Sequence, residues 1–188
     1  MDALNQFEIG ILDFIRETFS CKFLDYFFVG ITSLSNKGIF WIILAVVLLC
    51  FKKTRKTGIC LGVVLLIGEI LGNQILKKLF ERPRPYTVNP DVTLIVDKLS
   101  SFSFPSGHSR CAVECAVAIF YNNKKWGIAA ITVAVLTCLS RLYLYVHYPT
   151  DVLAGAALGV IDGLLAIFIV KKIGEYINNR NSKLQQVK

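Results

Sequence analysis

The chain is a succession of apolar runs, each cut off by a short basic cluster. Residues 38–51, 57–76, 126–144 and 152–170 are almost wholly apolar, and Lys52-Lys53-Thr54-Arg55-Lys56, Lys124-Lys125 and Lys171-Lys172 punctuate them. About 20 consecutive apolar residues is the length a helix needs to cross hydrocarbon. Composition agrees: 54% of the 188 residues are hydrophobic and 18% charged, against about 25% charged in soluble domains, and the mean hydropathy is +0.56. The formal charge of +8 sits in the connections between apolar runs, which is the pattern of a multi-span membrane protein and not of a nucleic-acid-binding surface. Six cysteines in a chain of this length do not make a disulfide-built mini-protein. The length predicts a single domain over 1–188, and nothing in it calls for an obligatory protein partner.

The expected fold is all-α, a transmembrane helix bundle of about six spans with an N-terminal amphipathic helix. Two of the spans need help. The run at 111–121 must extend back through Pro105, and 38–51 borrows from 31–36. A sixth candidate, 23–34, is too short alone and draws on residues upstream. In 4–19, Leu4, Phe7, Ile11, Phe14, Ile15 and Phe19 fall near one face with Asp13, Arg16 and Glu17 away from it, which reads as a surface-lying helix in preference to part of the first span. The first residues are acidic and no cleavage site follows an apolar core, so no signal peptide is expected. The basic clusters, together with Arg180, Lys183 and Lys188 of the tail, place 52–56, 124–125 and the C-terminal tail in the cytoplasm. Residues 82–104 and 145–150 then lie on the opposite face, and six spans put the N-terminus inside.

All five prolines and both histidines fall in or beside those two non-cytoplasmic segments. Three strings collect the chemistry there. Lys77-Lys78-Leu79-Phe80-Glu81-Arg82-Pro83-Arg84-Pro85 offers an ammonium and planar forks suited to phosphate oxygens; alone, it reads equally well as snorkelling at a helix end. Phe104-Pro105-Ser106-Gly107-His108-Ser109 runs into a helix whose first N–H groups would face an anion, or forms a plain cap. Ser140-Arg141 and His147-Tyr148-Pro149-Thr150-Asp151 place a carboxylate four residues after an imidazole, where it fixes the tautomer and leaves the other nitrogen free to attack; the alternative is a structural His–Asp contact. Phosphoryl transfer needs this inventory of cationic clamps, a nucleophile and a proton donor. Only the scattered Asp91 and Asp97 could hold a divalent ion, so the expected chemistry uses no metal and no cofactor.

Lys77-x6-Arg84-Pro85, Pro105-Ser106-Gly107-His108 and Ser140-Arg141-x5-His147-x3-Asp151 resemble, in spacing and in order, the three signature motifs of the type 2 phosphatidic acid phosphatase (PAP2) family. The motif region runs from 77 to about 155. The resemblance implies a metal-independent lipid phosphatase of the cell membrane with its active site facing outside. In that reading His147 is the nucleophile and forms a phosphohistidine, Asp151 orients it, and His108 protonates the leaving oxygen and then activates water. Lys77, Arg84, Arg141, Ser106 and Gly107 hold the phosphoryl oxygens. It also implies a lipid phosphate or diphosphate as substrate: undecaprenyl diphosphate, phosphatidylglycerophosphate or phosphatidate. Some carrier-recycling relatives have aspartate where Gly107 stands, a slight lean toward the broader lipid phosphatases. A vanadate-dependent haloperoxidase, a non-catalytic lipid-phosphate binder or transporter, and a soluble sugar phosphate as substrate remain alternatives.

Other features read structurally. Gly155-x3-Gly159-x3-Gly163 permits close helix approach, as do Gly58, Gly62, Gly68 and Gly72. Arg110 and Glu114 are spaced to pair. Glu69 and Asp162 lie within spans, where charge is expensive, and Cys111 and Cys115 read as small apolar fill. The long connection 86–104 reads as a lid lying on the membrane.

Overall fold

A computed structural model describes residues 2–186; Lys188 of the basic tail lies outside them. The chain runs as α1 (Asp2–Phe19), α2 (Lys22–Leu34), α3 (Ile39–Cys50), α4 (Arg55–Gly68), α5 (Lys77–Phe80), α6 (Pro85–Val88), α7 (Gly107–Asn122), α8 (Lys124–Tyr143) and α9 (Pro149–Gln186). A wider π-type turn, Glu69–Leu76, joins α4 to α5 without a break in direction. Between α2 and α3 the chain bends by 50° at Gly38, whose φ of +67° only glycine adopts without strain.

The apolar runs become spans. Arg55–Val88, Lys124–Tyr143 and Pro149–Leu184 are long and apolar enough to cross a membrane, and α2 with α3 makes a fourth if the bent pair is one span. The expected count of six is therefore approximate. The 111–121 run does extend back, to Gly107, but α7 has 16 residues and reaches only about 24 Å. It does not face lipid: no residue from 107 to 120 is fully exposed, because α4, α8 and α9 surround it. The shared core is small-residue packing around Ala112, Cys115, Ala116, Ala118, Ala130, Ala134 and Ala166. Ile43, Leu66, Ile128, Val135, Leu153, Ile161 and Phe168 point outward. Small residues inside and bulky apolar ones outside is the arrangement for helices whose solvent is lipid.

Glycines set the register. A Cβ at Gly155 would stand 2.5 Å from the Ser106 carbonyl oxygen, and one at Gly159 2.7 Å from that of Arg110. These close approaches run α9 parallel to α7. Gly68 lies against Glu114 and Gly72 against Arg110, so α4 runs antiparallel to α7. In consequence Arg55 and Lys171 overshoot the C-terminal end of α7, where Lys124 stacks over Phe120 at 3.9 Å. The three basic clusters thus share one end of the bundle. The motifs share the other.

The amphipathic α1 turns its apolar face away from the bundle, as a surface-lying helix does. Leu4, Phe7, Phe14 and Phe19 are at least half exposed, while Asn5, Glu8, Ile9 and Leu12 are buried against the bundle. The protein-facing stripe carries a carboxylate and an amide because both have buried partners. The connection 86–104 is a wall, not a lid: Leu94, Ile95, Val96 and Leu99 pack with Tyr86, Tyr143, Leu144 and Val146.

Candidate active site

The end of α5, the loop 81–84, the N-terminus of α7, the end of α8 and the start of α9 meet at the motif end. Each contributes polar side chains for a local reason. Pro85 starts α6 and fixes the extended Arg84 before it; Ser106 caps α7, its Oγ accepting from Ser109 N at 3.4 Å. The Ser106 N–H donates to the Asp151 carbonyl at 3.0 Å, tying the α7 and α9 starts together.

His147 is 1% exposed. Its Nδ1 lies 3.5 Å from Asp151 Oδ2 and 3.4 Å from Ser103 Oγ. Ser103 in turn donates to Asp151 Oδ2 at 2.5 Å, and the Tyr148 N–H donates to the same oxygen at 3.0 Å. The carboxylate and the hydroxyl on the Nδ1 side leave Nε2 as the free lone pair, with Arg84 Nη1 3.3 Å away. Burial first, then the charges of Arg84, Arg141 and Lys77, push the His147 imidazolium well below its ordinary pKa of 6.5. The ring is neutral at physiological pH, the state a nitrogen nucleophile requires.

Arg84 holds its fork against the connecting loop. Nε donates to Ser101 O at 2.7 Å, Nη1 to Val146 O at 2.8 Å, and Nη2 to Ser101 Oγ at 3.1 Å and Phe102 O at 3.2 Å. Lys77 Nζ shares Ser101 Oγ at 3.1 Å. Arg141, 2% exposed, donates from Nη1 to Thr32 Oγ1, and its Nε is buried without a partner. Among the described residues no carboxylate lies within ion-pair distance of Lys77, Arg84 or Arg141. Asp151 Oδ1 is taken by Arg82 Nη1 at 2.6 Å.

Gly107 and His108 line a cleft of about 600 Å³ together with Lys77 and Ser101. His108 Nε2 lies 3.0 Å from Asn36 Oδ1. The cleft continues inward between α4 and α7 past Gly72 and Glu69 to Arg110 and Glu114. The structure therefore collects Lys77, Arg84, His147 and Asp151 in one contact network, with His108 and Gly107 on the open side and Arg141 behind. The two rings are near enough for their charges to interact. Ser106 is held in the cluster by its backbone, while its hydroxyl is committed to the α7 cap.

Deeper in the bundle, the Arg110–Glu114 spacing gives only a long contact of 3.9 Å, and the main partner of Arg110 is Asp162, which accepts from Nε at 2.5 Å. Glu114 stands between Cys111 and Cys115, their ligand atoms within 4.8 Å of one another. That cluster lies on one helix, inward of His108, and does not reach His147.

Residues that motif reading missed are Arg82, Ser101 and Ser103, and on α1 Asn5 and Glu8. The serine-rich run Ser100-Ser101-Phe102-Ser103 before the Pro-Ser-Gly-His string was a usable signal. Asn5 and Glu8 gave none, since nothing in their neighbourhood marks the inward face of α1.

Residues 57–175 match the PAP2 superfamily. An undecaprenyl-diphosphatase from Sulfolobus acidocaldarius is 38% identical over 73% of this chain and 69% of its own length. A phosphatidylglycerophosphatase B from Bacillus subtilis is 40% identical over 69% of this chain and 64% of its own. The crystal structure of a transmembrane PAP2-type phosphatidylglycerolphosphate phosphatase from Bacillus subtilis superposes with a TM-score of 0.75 at 30% identity, covering 92% of this chain and 89% of that one.

Proposed function

The chain belongs to the PAP2 superfamily and is a membrane hydrolase of phosphate esters, and from that premise we propose that it cleaves a lipid phosphate monoester or diphosphate through a phosphohistidine. The observation that carries this reading is an imbalance of charge. Among the described residues the buried Arg84 and Arg141 and the half-buried Lys77 converge beside two imidazoles with no carboxylate within ion-pair distance, and leaving buried charges unpaired costs several kcal/mol. A phosphoryl group supplies the missing anion.

His147 Nε2 attacks phosphorus in line with the leaving oxygen; the P–N bond forms as the P–O bond breaks, and His108 protonates the departing oxygen. Water, deprotonated by His108, then attacks the phosphohistidine, releasing inorganic phosphate and restoring His147. Lys77, Arg84, Arg141 and the Gly107 amide spread the equatorial charge, which is where most of the rate enhancement of phosphoryl transfer arises. Asp151 holds the ring and stabilises its positive charge during attack.

The substrate class is an isoprenoid diphosphate or a glycerophospholipid phosphate, the two classes named for the relatives, reached sideways from the bilayer through the α4–α7 cleft. The site faces away from the cytoplasm, because the three basic clusters sit at the opposite end and such clusters stay cytoplasmic. The test is phosphate release by purified protein in detergent from undecaprenyl diphosphate, phosphatidylglycerophosphate, phosphatidate and a water-soluble ester. His147→Ala is expected to lower turnover by about 10³-fold or more, chelators to leave it intact, and vanadate to inhibit. Turnover retained by His147→Ala, or absent in the unaltered protein with every substrate, overturns the reading.

A further inference from the structure

Asp151 faces two partners at once. Oδ2 is turned toward His147, while Oδ1 receives Arg82 Nη1 at 2.6 Å. A guanidinium bound directly to the carboxylate that must stabilise an imidazolium works against it, since it offsets the negative charge the ring relies on. On the far side of Arg82 the structure supplies a second carboxylate. Glu8 Oε2, on α1, accepts from Arg82 Nη2 at 2.5 Å. Glu8 also reaches the start of α9, accepting from Thr150 N through Oε1 at 2.7 Å and from Thr150 Oγ1 through Oε2 at 3.0 Å. Asn5 Oδ1 accepts from Arg82 Nε and Nη2 at 3.2 and 2.6 Å, and the guanidinium lies over the Tyr148 ring at 3.9 Å. Glu8, Arg82 and Asp151 are all buried.

We propose that Glu8 and Arg82 are positioning residues for the nucleophile, forming with Asp151 and His147 a charge chain in which Glu8 balances Arg82 so that Asp151 keeps its negative charge for the ring. The chain Glu8⁻–Arg82⁺–Asp151⁻ carries one net negative charge toward His147. Without the Glu8 charge it carries none; without Arg82 it carries two. The helix that reads from sequence as a passive membrane-surface element thus sets how readily His147 accepts positive charge. The other charged or titratable groups facing His147 are Lys77 from α5, Arg84 from the loop after it, His108 from α7 and Arg141 from α8. None of them touches Glu8, and all stay constant across the variants below. This inference rests on the phosphohistidine reading of His147.

The experiment compares the unaltered protein, Glu8→Gln, Arg82→Gln and the double variant in detergent, reading kcat, KM and the acid limb of kcat/KM, with circular dichroism and thermal midpoint as folding controls. Substrate ionisation is common to all four. Glu8→Gln is expected to lower kcat about 10-fold or more with KM changed about twofold or less, and to move the limb to lower pH by about half a unit or more. Arg82→Gln moves the limb to higher pH, and the double variant returns it close to its original position. Glu8→Asp keeps the charge and the original limb even where kcat falls. Limbs that do not move, or that move the same way in both single variants, overturn the charge chain; so does a Glu8→Asp limb that follows Glu8→Gln. Should one single variant not fold, the direction in which the other moves the limb still decides it, downward for Glu8→Gln or upward for Arg82→Gln. Failure of the underlying reading is distinguished by its own signature, phosphate release by the unaltered protein that survives His147→Ala.

Discussion

His147 sits buried between a carboxylate that favours its protonated form and a guanidinium that opposes it. Burial and the neighbouring cations win, so the ring stays neutral until well below pH 6.5. Since kcat/KM reports ionisations of the free enzyme, its His147-dependent acid limb is expected below pH 6.5. Arg84→Gln removes the nearest opposing charge. The folded pKa of His147 then rises, and the limb is expected to move to higher pH while KM increases; a pH-rate series on the two proteins checks it. Residue type and spacing mark Lys77, Arg84, His108, Arg141, His147 and Asp151 in the sequence, and the fold brings them to one end of the bundle. Glu8 was not legible, because its contact joins segments 142 residues apart that only the folded chain brings together.

At the level of elements, the parallel pair α7–α9 holds the two ends of the site in register. The Ser106 amide reaches the Asp151 carbonyl because Gly155 has no side chain to keep the helices apart. Gly155→Ala puts a methyl group 2.5 Å from the Ser106 oxygen. Overpacking of this kind costs about 1–3 kcal/mol, so the detergent thermal midpoint and kcat are both expected to fall. Gly174→Ala, at a position with nothing within 4 Å, is expected to leave kcat unchanged and to raise helix stability by up to about 1 kcal/mol; differential scanning fluorimetry and phosphate release check both. The glycine spacing was legible as close packing at Gly155, Gly159 and Gly163 and at Gly58, Gly68 and Gly72, but not at Gly62, which meets nothing within 4 Å because it faces away from the neighbouring helices. The role of the inward face of α1 was not legible, because only the buried Arg82 explains why Asn5 and Glu8 face the bundle.

For the whole molecule, the basic clusters and the site occupy opposite ends. Two exposed cysteines mark those ends: Cys21, whose N–H meets the Tyr143 hydroxyl near the site at 3.4 Å, and Cys50, next to the basic turn. An impermeant maleimide added to intact cells is expected to label Cys21 and spare Cys50, with Cys21→Ser and Cys50→Ser assigning the signal; the reverse pattern would place the site in the cytoplasm. The all-helical membrane class was legible from run length alone. The number of crossings was less so, because a helix as short as α7 is sheathed by its neighbours and meets no lipid, so hydropathy and length do not decide its role.

The contact between α1 and the head of α9 also has a bearing on synthesis. Glu8 precedes Thr150 by 142 residues, so a nascent chain threaded into the bilayer through α8 still lacks Asp151 beside the ring of His147. The contacts that join α1, Arg82 and Asp151 can form only after translation has passed the head of α9 and α1 has docked against it.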